Sequence, residues 1–156
     1  MIVILDNIRS NHNVGSIFRT ADAFGIEKIY LCGITPQTTD RFGRKNNALS
    51  KVALGAEEYI ESEYSKSTTK LLDKLKTEGY TMLAIELDKK SQPLNKVKIP
   101  KSKISKTALV LGSEVDGLSS AILKRADKIV EIPMQGKKES LNVSVAFGIT
   151  AYELTK

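Results

Sequence analysis

One cysteine and one histidine stand among 156 residues, and that scarcity excludes several chemistries. No disulfide can form within the chain, and a structural zinc site has too few Cys and His donors. With His12 the only histidine, no Ser-His-Asp set exists; between Asn11 and Asn13 it reads as a loop residue rather than a general base. Cys32 closes the apolar run IYLC and reads as a small hydrophobe in a reducing cytoplasm. No apolar run approaches the length of a membrane span. The N-terminal MIVILDNIRS lacks the basic region and cleavage site of a signal peptide, so residues 1–5 read as a strand. GxGxxG does not follow that strand and GxxxxGK[ST] occurs nowhere, which argues against dinucleotide and P-loop sites.

What is present is an ordinary soluble composition, 41% hydrophobic and 27% charged, at a length that suits one domain with its own core. The net charge is +6, from 24 basic and 18 acidic residues. Seven lysines and no acid lie between Lys89 and Lys106, and Arg41, Arg44 and Lys45 stand with Asn46 and Asn47. Such an excess suits a polyanion, because cationic side chains displace counterions from nucleic-acid phosphates. The spread-out lysine run reads as a solvated surface. Charge permits RNA without proving it.

Strand alternates with helix along the chain. Residues 1–5, 28–32, 58–60, 81–87, 107–111 and 128–132 read as strands. Val14, Ile17, Phe18, Ala21 and Phe24 fall at helical spacing with Gly25 as the stop. Further helices are expected near 48–54, after Ser65 as a cap through Leu71, Leu72 and Leu75, from Ser119 to 126, and from about Leu141. Alternation of this kind implies a mainly parallel sheet flanked by helices, with ligands beyond the carboxyl ends of the strands.

Three segments sit at those strand-to-helix turns: NVGSIFRTADAFG (13–25), LVLGSEVDGLS (109–119) and IPMQGKKESLNVSVAFGITAYEL (132–154). In the first, Asn13 stands at the helix mouth. Arg19 lies near an apolar surface, and two readings of it stand: a partner for Asp22 or for a carboxylate of another element, or a guanidinium aimed at a phosphate. In the second, Gly112 and Gly117 bracket a tight turn. Glu114 either braces the loop or partners a site arginine; Asp116 reads more simply as a loop brace. In the third, Ser140 is most simply an N-cap, and with Asn142 it forms a polar pair facing the loop.

Together and in this order, the three segments resemble motifs 1, 2 and 3 of the SpoU/TrmH family, the SPOUT-class RNA ribose 2′-O-methyltransferases. The resemblance covers essentially the whole chain, with SLNVSVA followed by YE its most specific part. The family often has Asn and Gly where this chain has Ser113 and Val115, which leaves the shape of the Glu114 loop open. The resemblance implies an α/β SPOUT fold whose C-terminal segment makes a deep trefoil knot, an exception to the usual rule against knots. It implies S-adenosylmethionine at Ile85, Glu86, Leu111, Gly112, Ile132, Met134 and Leu141, no metal, and a homodimer with active sites at the subunit interface. By the same resemblance Arg19 is catalytic, supported by Asn13, Glu114, Ser140 and Asn142. The expected reaction is methylation of a ribose 2′-hydroxyl of tRNA or rRNA by a cytoplasmic, single-domain enzyme. With no appended RNA-binding domain expected, targeting would fall to the basic loop, the lysine-rich connection, the dimer surface or an accessory protein. A base-methylating SPOUT enzyme and a non-catalytic RNA-binding or assembly factor are the alternatives.

Overall fold

A computed structural model describes residues 1–156. Seven strands form one parallel sheet: β1 (Ile2–Asp6), β2 (Lys28–Cys32), β3 (Glu61–Ser65), β4 (Thr81–Ile85), β5 (Gln92–Pro93), β6 (Thr107–Gly112) and β7 (Lys128–Glu131). Their order is β3-β2-β1-β6-β4-β7-β5. The first three run outward one after another. β4 then starts on the other side, and β6 inserts between β1 and β4. Six helices accompany the sheet: α1 (Asn11–Ala23), α2 (Asn47–Ala53), α3 (Ala56–Tyr59), α4 (Thr68–Thr77), α5 (Ser120–Leu123) and α6 (Val143–Thr155). None is long and apolar enough to cross a membrane.

The period-two alternation of the strands divides the core in two. Val3, Leu5, Ile29, Leu31, Leu83, Leu109 and Leu111 join the larger cluster with residues of α1, α2 and α6. Their neighbours Ile2, Ile4, Tyr30, Cys32, Met82, Ala84, Ala108 and Val110 face α4 and α5. β1 is buried along its whole length, which is why it reads as an unbroken apolar run rather than an alternating one. Cys32 packs in the smaller cluster, where burial pushes its thiol up to about 12.

Several local expectations shift in the fold. The weak strand expected at 58–60 is occupied by the end of α3 and Ile60, and β3 follows at 61–65. Gly55, with φ at +92°, turns the chain into α3 and delays the strand. β3 is an edge strand of mostly exposed polar residues, which explains its faint apolar signal. Ser65 ends that strand, and Ser67 caps α4 instead. Between β4 and β6 the lysine-rich connection is ordered: it carries β5 and two 3₁₀ turns, Leu94–Lys96 and Lys101–Lys106, anchored by buried Leu94 and Val97. Its lysines stay at the surface.

The helix that frames the site starts cleanly. Ser10 Oγ accepts from the backbone N–H of Asn13 at 3.2 Å, capping α1, and Gly25, at φ +64°, follows the helix end. His12 lies exposed in its first turn rather than in a loop. Gly15 faces α2 so closely that a Cβ there would stand 2.6 Å from the Leu49 carbonyl oxygen and 2.9 Å from Val52 Cβ. Its role is helix packing.

Candidate active site

The carboxyl ends of β4, β6 and β7 open into a cavity of about 490 Å³. Ile85, Leu111, Val130, Ile132, Leu141 and Val143 supply its apolar lining, and Ser113 and Ser140 are among its polar residues. All seven residues matched to cofactor binding by resemblance line this one cavity, together with Glu114 and Ser140. Its charge is one-sided. Glu86, Asp88, Glu114, Asp116, Glu131 and Glu139 line it, and no lysine or arginine does. In a chain of net charge +6 that is a local inversion of sign.

Two glycines shape the cavity wall. A Cβ on Gly112 would lie 2.6 Å from the backbone C and O of Gly117, so the turn after β6 folds flat against the strand end. Gly117 has φ +62°, a left-handed conformation that favours glycine, and a Cβ there would meet the Glu86 carboxylate at 2.6 Å. Glu86 accepts from the backbone N–H of Leu118 at 2.8 Å and from that of Leu87 at 3.1 Å, tying the end of β4 to the turn after β6. Ser113 Oγ accepts from the N–H of Asp116 at 3.1 Å, closing the turn that carries Glu114. Neither Val115 nor Ser113 has positive φ, so glycine is not required at either position. Asp116 pairs with Arg9 at 3.4 Å across the exposed edge, the bracing role its position suggested.

At the cavity mouth three segments meet through their side chains. Asn13 Nδ2 donates to Glu114 Oε1, and Asn142 Nδ2 donates to Asn13 Oδ1 at 3.0 Å. Asn142 Oδ1 accepts from the Ser144 N–H at 2.9 Å and from the Ser144 hydroxyl at 2.6 Å. The relay runs one way: Asn13 turns its amide N–H₂ toward the Glu114 carboxyl oxygen and offers its carbonyl to Asn142. Within the chain, then, the Glu114 carboxylate holds Asn13. Asn142, not Ser140, caps α6. Ser140 is left exposed on the cavity wall, with its hydroxyl free of the helix start.

Arg19 is elsewhere. It is exposed, makes no ion pair with Asp22, and lines a shallow depression with Ser16, Thr20, Ala23, Phe24 and Val52. Helix geometry explains the separation: six residues after Asn13 mean about 9 Å along the axis and about 240° around it. With Asn13 turned toward Glu114, Arg19 points away from its own chain's cavity. The acidic lining at Asp88, Glu131 and Glu139 was missed from sequence. Its available signal was an acid within a few residues of the β4 and β7 ends and of Ser140, in an otherwise basic chain.

The fold and the cavity define an α/β protein with a small-molecule site at the strand ends of a parallel sheet, braced by residues from its first and last helices. The family model of the SpoU rRNA Methylase family matches residues 1–152, and the chain belongs to that family. It is 34% identical over 153 residues, 98% of its length, to the tRNA (guanosine(18)-2'-O)-methyltransferase of Aquifex aeolicus, 67% of which it spans. It is also 34% identical to the 23S rRNA (guanosine-2'-O-)-methyltransferase RlmB of Coxiella burnetii, covering 100% of this chain and 58% of that protein. The solved structure of an AdoMet bound rRNA methyltransferase from Sinorhizobium meliloti superposes with a TM-score of 0.82 at 29% identity, over 97% of this chain and 54% of that one. The chain thus spans between half and two thirds of the length of these relatives.

Proposed function

We propose that the chain transfers a methyl group from S-adenosylmethionine to a ribose 2′-hydroxyl of tRNA or rRNA, acting as a homodimer. The observation that carries this reading is the cavity: an apolar lining and six carboxylates, of which only Asp116 at the exposed edge has a cation, Arg9, beside it, in a basic protein. A phosphate-bearing cofactor would be repelled there, whereas a ligand with positive charge and a flat apolar base is favoured. S-adenosylmethionine has both properties. Ile85, Leu111, Ile132, Met134 and Leu141 would hold its apolar parts, Gly112 lets the backbone approach, and Glu86 keeps the two wall loops together. When bound, S-adenosylmethionine supplies an electrophilic methyl group on a sulfonium centre.

The protein's own part is positioning. The Ser144–Asn142–Asn13–Glu114 relay fixes the mouth where a ribose would enter, and the Ser140 hydroxyl offers a hydrogen bond there. Arg19 grips an RNA phosphate bidentately and stabilises charge developing on the attacking oxygen. A guanidinium has donors and no acceptor, so Arg19 is assigned no general-base role. Because Arg19 faces away from its own cavity, the reading needs a second copy to bring it to one. Val145, Ile149 and Tyr152, exposed along one side of α6, support such a pairing, and the edge-on contact of Tyr152 with Phe24 at 6.1 Å sets that side of the helix next to the Arg19 depression. Segment 132–142, running from β7 past the turn after β6 to α6, is read as the part that makes the family's knot.

The test is transfer of labelled methyl from S-adenosylmethionine to unmodified total tRNA and total rRNA. The reading expects label in RNA with the wild-type protein. Tight S-adenosylmethionine binding with no transfer to either RNA would move it to a non-catalytic role, and no S-adenosylmethionine binding at all would end it.

A further inference from the structure

Between β2 and α2 the chain makes a braced loop over residues 38–46 that presents an aromatic ring to solvent. Asp40 organises it. Its carboxylate accepts from the backbone N–H of Arg44 at 3.0 Å and of Phe42 at 2.8 Å, and from Arg44 Nε at 2.7 Å. The backbone closes with Asp40 N–H to the Arg44 carbonyl at 2.9 Å and Asn46 N–H to the Thr38 carbonyl at 2.9 Å. Lys45 is held by Glu58 at 3.0 Å. So fixed, the loop leaves Phe42 67% exposed and outside both core clusters. The Arg41 and Arg44 guanidiniums lie over its ring, at 4.7 and 5.1 Å from the centroid. Arg44 is tied to Asp40, whereas Arg41 pairs with no carboxylate and can leave the ring.

The loop's position is fixed as well. Asn46 Nδ2 donates to Asn11 Oδ1 at 2.8 Å, in the first turn of α1 and two residues from Asn13 at the cavity mouth. An exposed aromatic ring that lies outside the core and is covered by two cations has no work in the core. With cations on either side of it in sequence, it has the makings of a stacking site for an unpaired base flanked by phosphates.

We propose that Phe42, with Arg41 and Arg44, is a base-stacking platform that holds an unpaired nucleotide of the substrate RNA at the N-terminal end of α1. A base takes the ring face that Arg41 covers, and Arg41 turns to a flanking phosphate. Arg44 stays on Asp40 and keeps the ring in place. The platform rests on the RNA reading above and adds where the strand is gripped.

The chain contains no tryptophan, so Phe42→Trp installs a single indole at the platform. Its emission is followed while total tRNA, total rRNA or sodium polyphosphate is added, and direct RNA affinity is measured alongside. The expected result is saturable quenching by RNA and none by polyphosphate. Phe42→Ala is expected to weaken RNA binding and raise KM for RNA about 5- to 100-fold, with kcat at saturating RNA and S-adenosylmethionine affinity unchanged. RNA binding with a silent indole, or Phe42→Ala with unchanged KM, overturns the platform and leaves the RNA reading standing. Equal quenching by polyphosphate reduces the loop to a charge patch and also overturns it. A wild-type protein that binds neither RNA overturns both.

Discussion

Replacing Asn13 by Asp puts a second carboxylate against Glu114. Asn13 is buried and donates to Glu114 Oε1 while accepting from Asn142, so the variant keeps the second bond and turns the first into a repulsion. Two unit charges about 3 Å apart repel by roughly 1.5 to 5 kcal/mol for effective dielectrics between those of water and a protein surface. Glu114 is exposed, so solvent screening holds this near the lower end. The lost charge-assisted hydrogen bond adds about 1.5 kcal/mol. A stability loss of about 2–4 kcal/mol at pH 8 is expected from urea unfolding. The sign with pH follows from proton sharing. In the folded variant the second proton of the pair is held above the ordinary carboxylate range near ~4, so the penalty is absent in acid and appears as pH rises through that raised value. The double variant Asn13→Asp with Glu114→Gln restores the contact with reversed polarity, since the new amide donates to the new carboxylate. It is expected to recover most of the loss. A penalty independent of pH, or a double variant no better than the single, would refute the relay.

Gly112→Ala forces the backbone at Gly117 and Leu118 to move by several tenths of an ångström or more. It is expected to cut S-adenosylmethionine affinity at least tenfold in calorimetric titration, at an overpacking cost of about 1–3 kcal/mol. Arg19→Ala removes an exposed side chain and is expected to change stability by less than about 0.5 kcal/mol. It should abolish methyl transfer while leaving S-adenosylmethionine affinity nearly intact; loss of that affinity in the folded variant would refute the assignment. Mixed after subunit exchange, at S-adenosylmethionine too dilute to fill the Gly112→Ala cavity, the two variants are expected to regain activity, because a hybrid dimer pairs one sound cavity with the other chain's Arg19. Gly15→Ala is expected to cost about 1–3 kcal/mol in urea unfolding through its clash with the Leu49 carbonyl of α2.

The strands of the inner sheet were legible because burial on both faces writes them as β-branched runs, IVIL and TALVL. The site's location was legible too, since its motif residues sit where strand patterns end. What could not be read was non-local. The insertion of β6 between β1 and β4 leaves no periodic trace in sequence. The Asn13–Glu114 contact joins residues 101 positions apart, and nothing near either names the other. Ser140 and Asn142 are both good caps, and only the fold shows that α6 starts at Asn142. The edge strand β3 and the short α3 were blurred because exposed polar residues carry little periodicity. Nothing near Gly15 in sequence marks it as a helix-packing position, because the closeness of α2 is a tertiary fact. Arg19 matched its motif, yet its exposure and lack of a partner appear only in the fold.

The most direct measurement is nucleoside mass spectrometry on tRNA and rRNA after reaction with S-adenosylmethionine labelled in its methyl group. Ribose 2′-O-methylation predicts a labelled 2′-O-methyl nucleoside, with the mass gain on the ribose, formed by the wild-type protein and absent with Arg19→Ala. A labelled base with an unmodified ribose would contradict it.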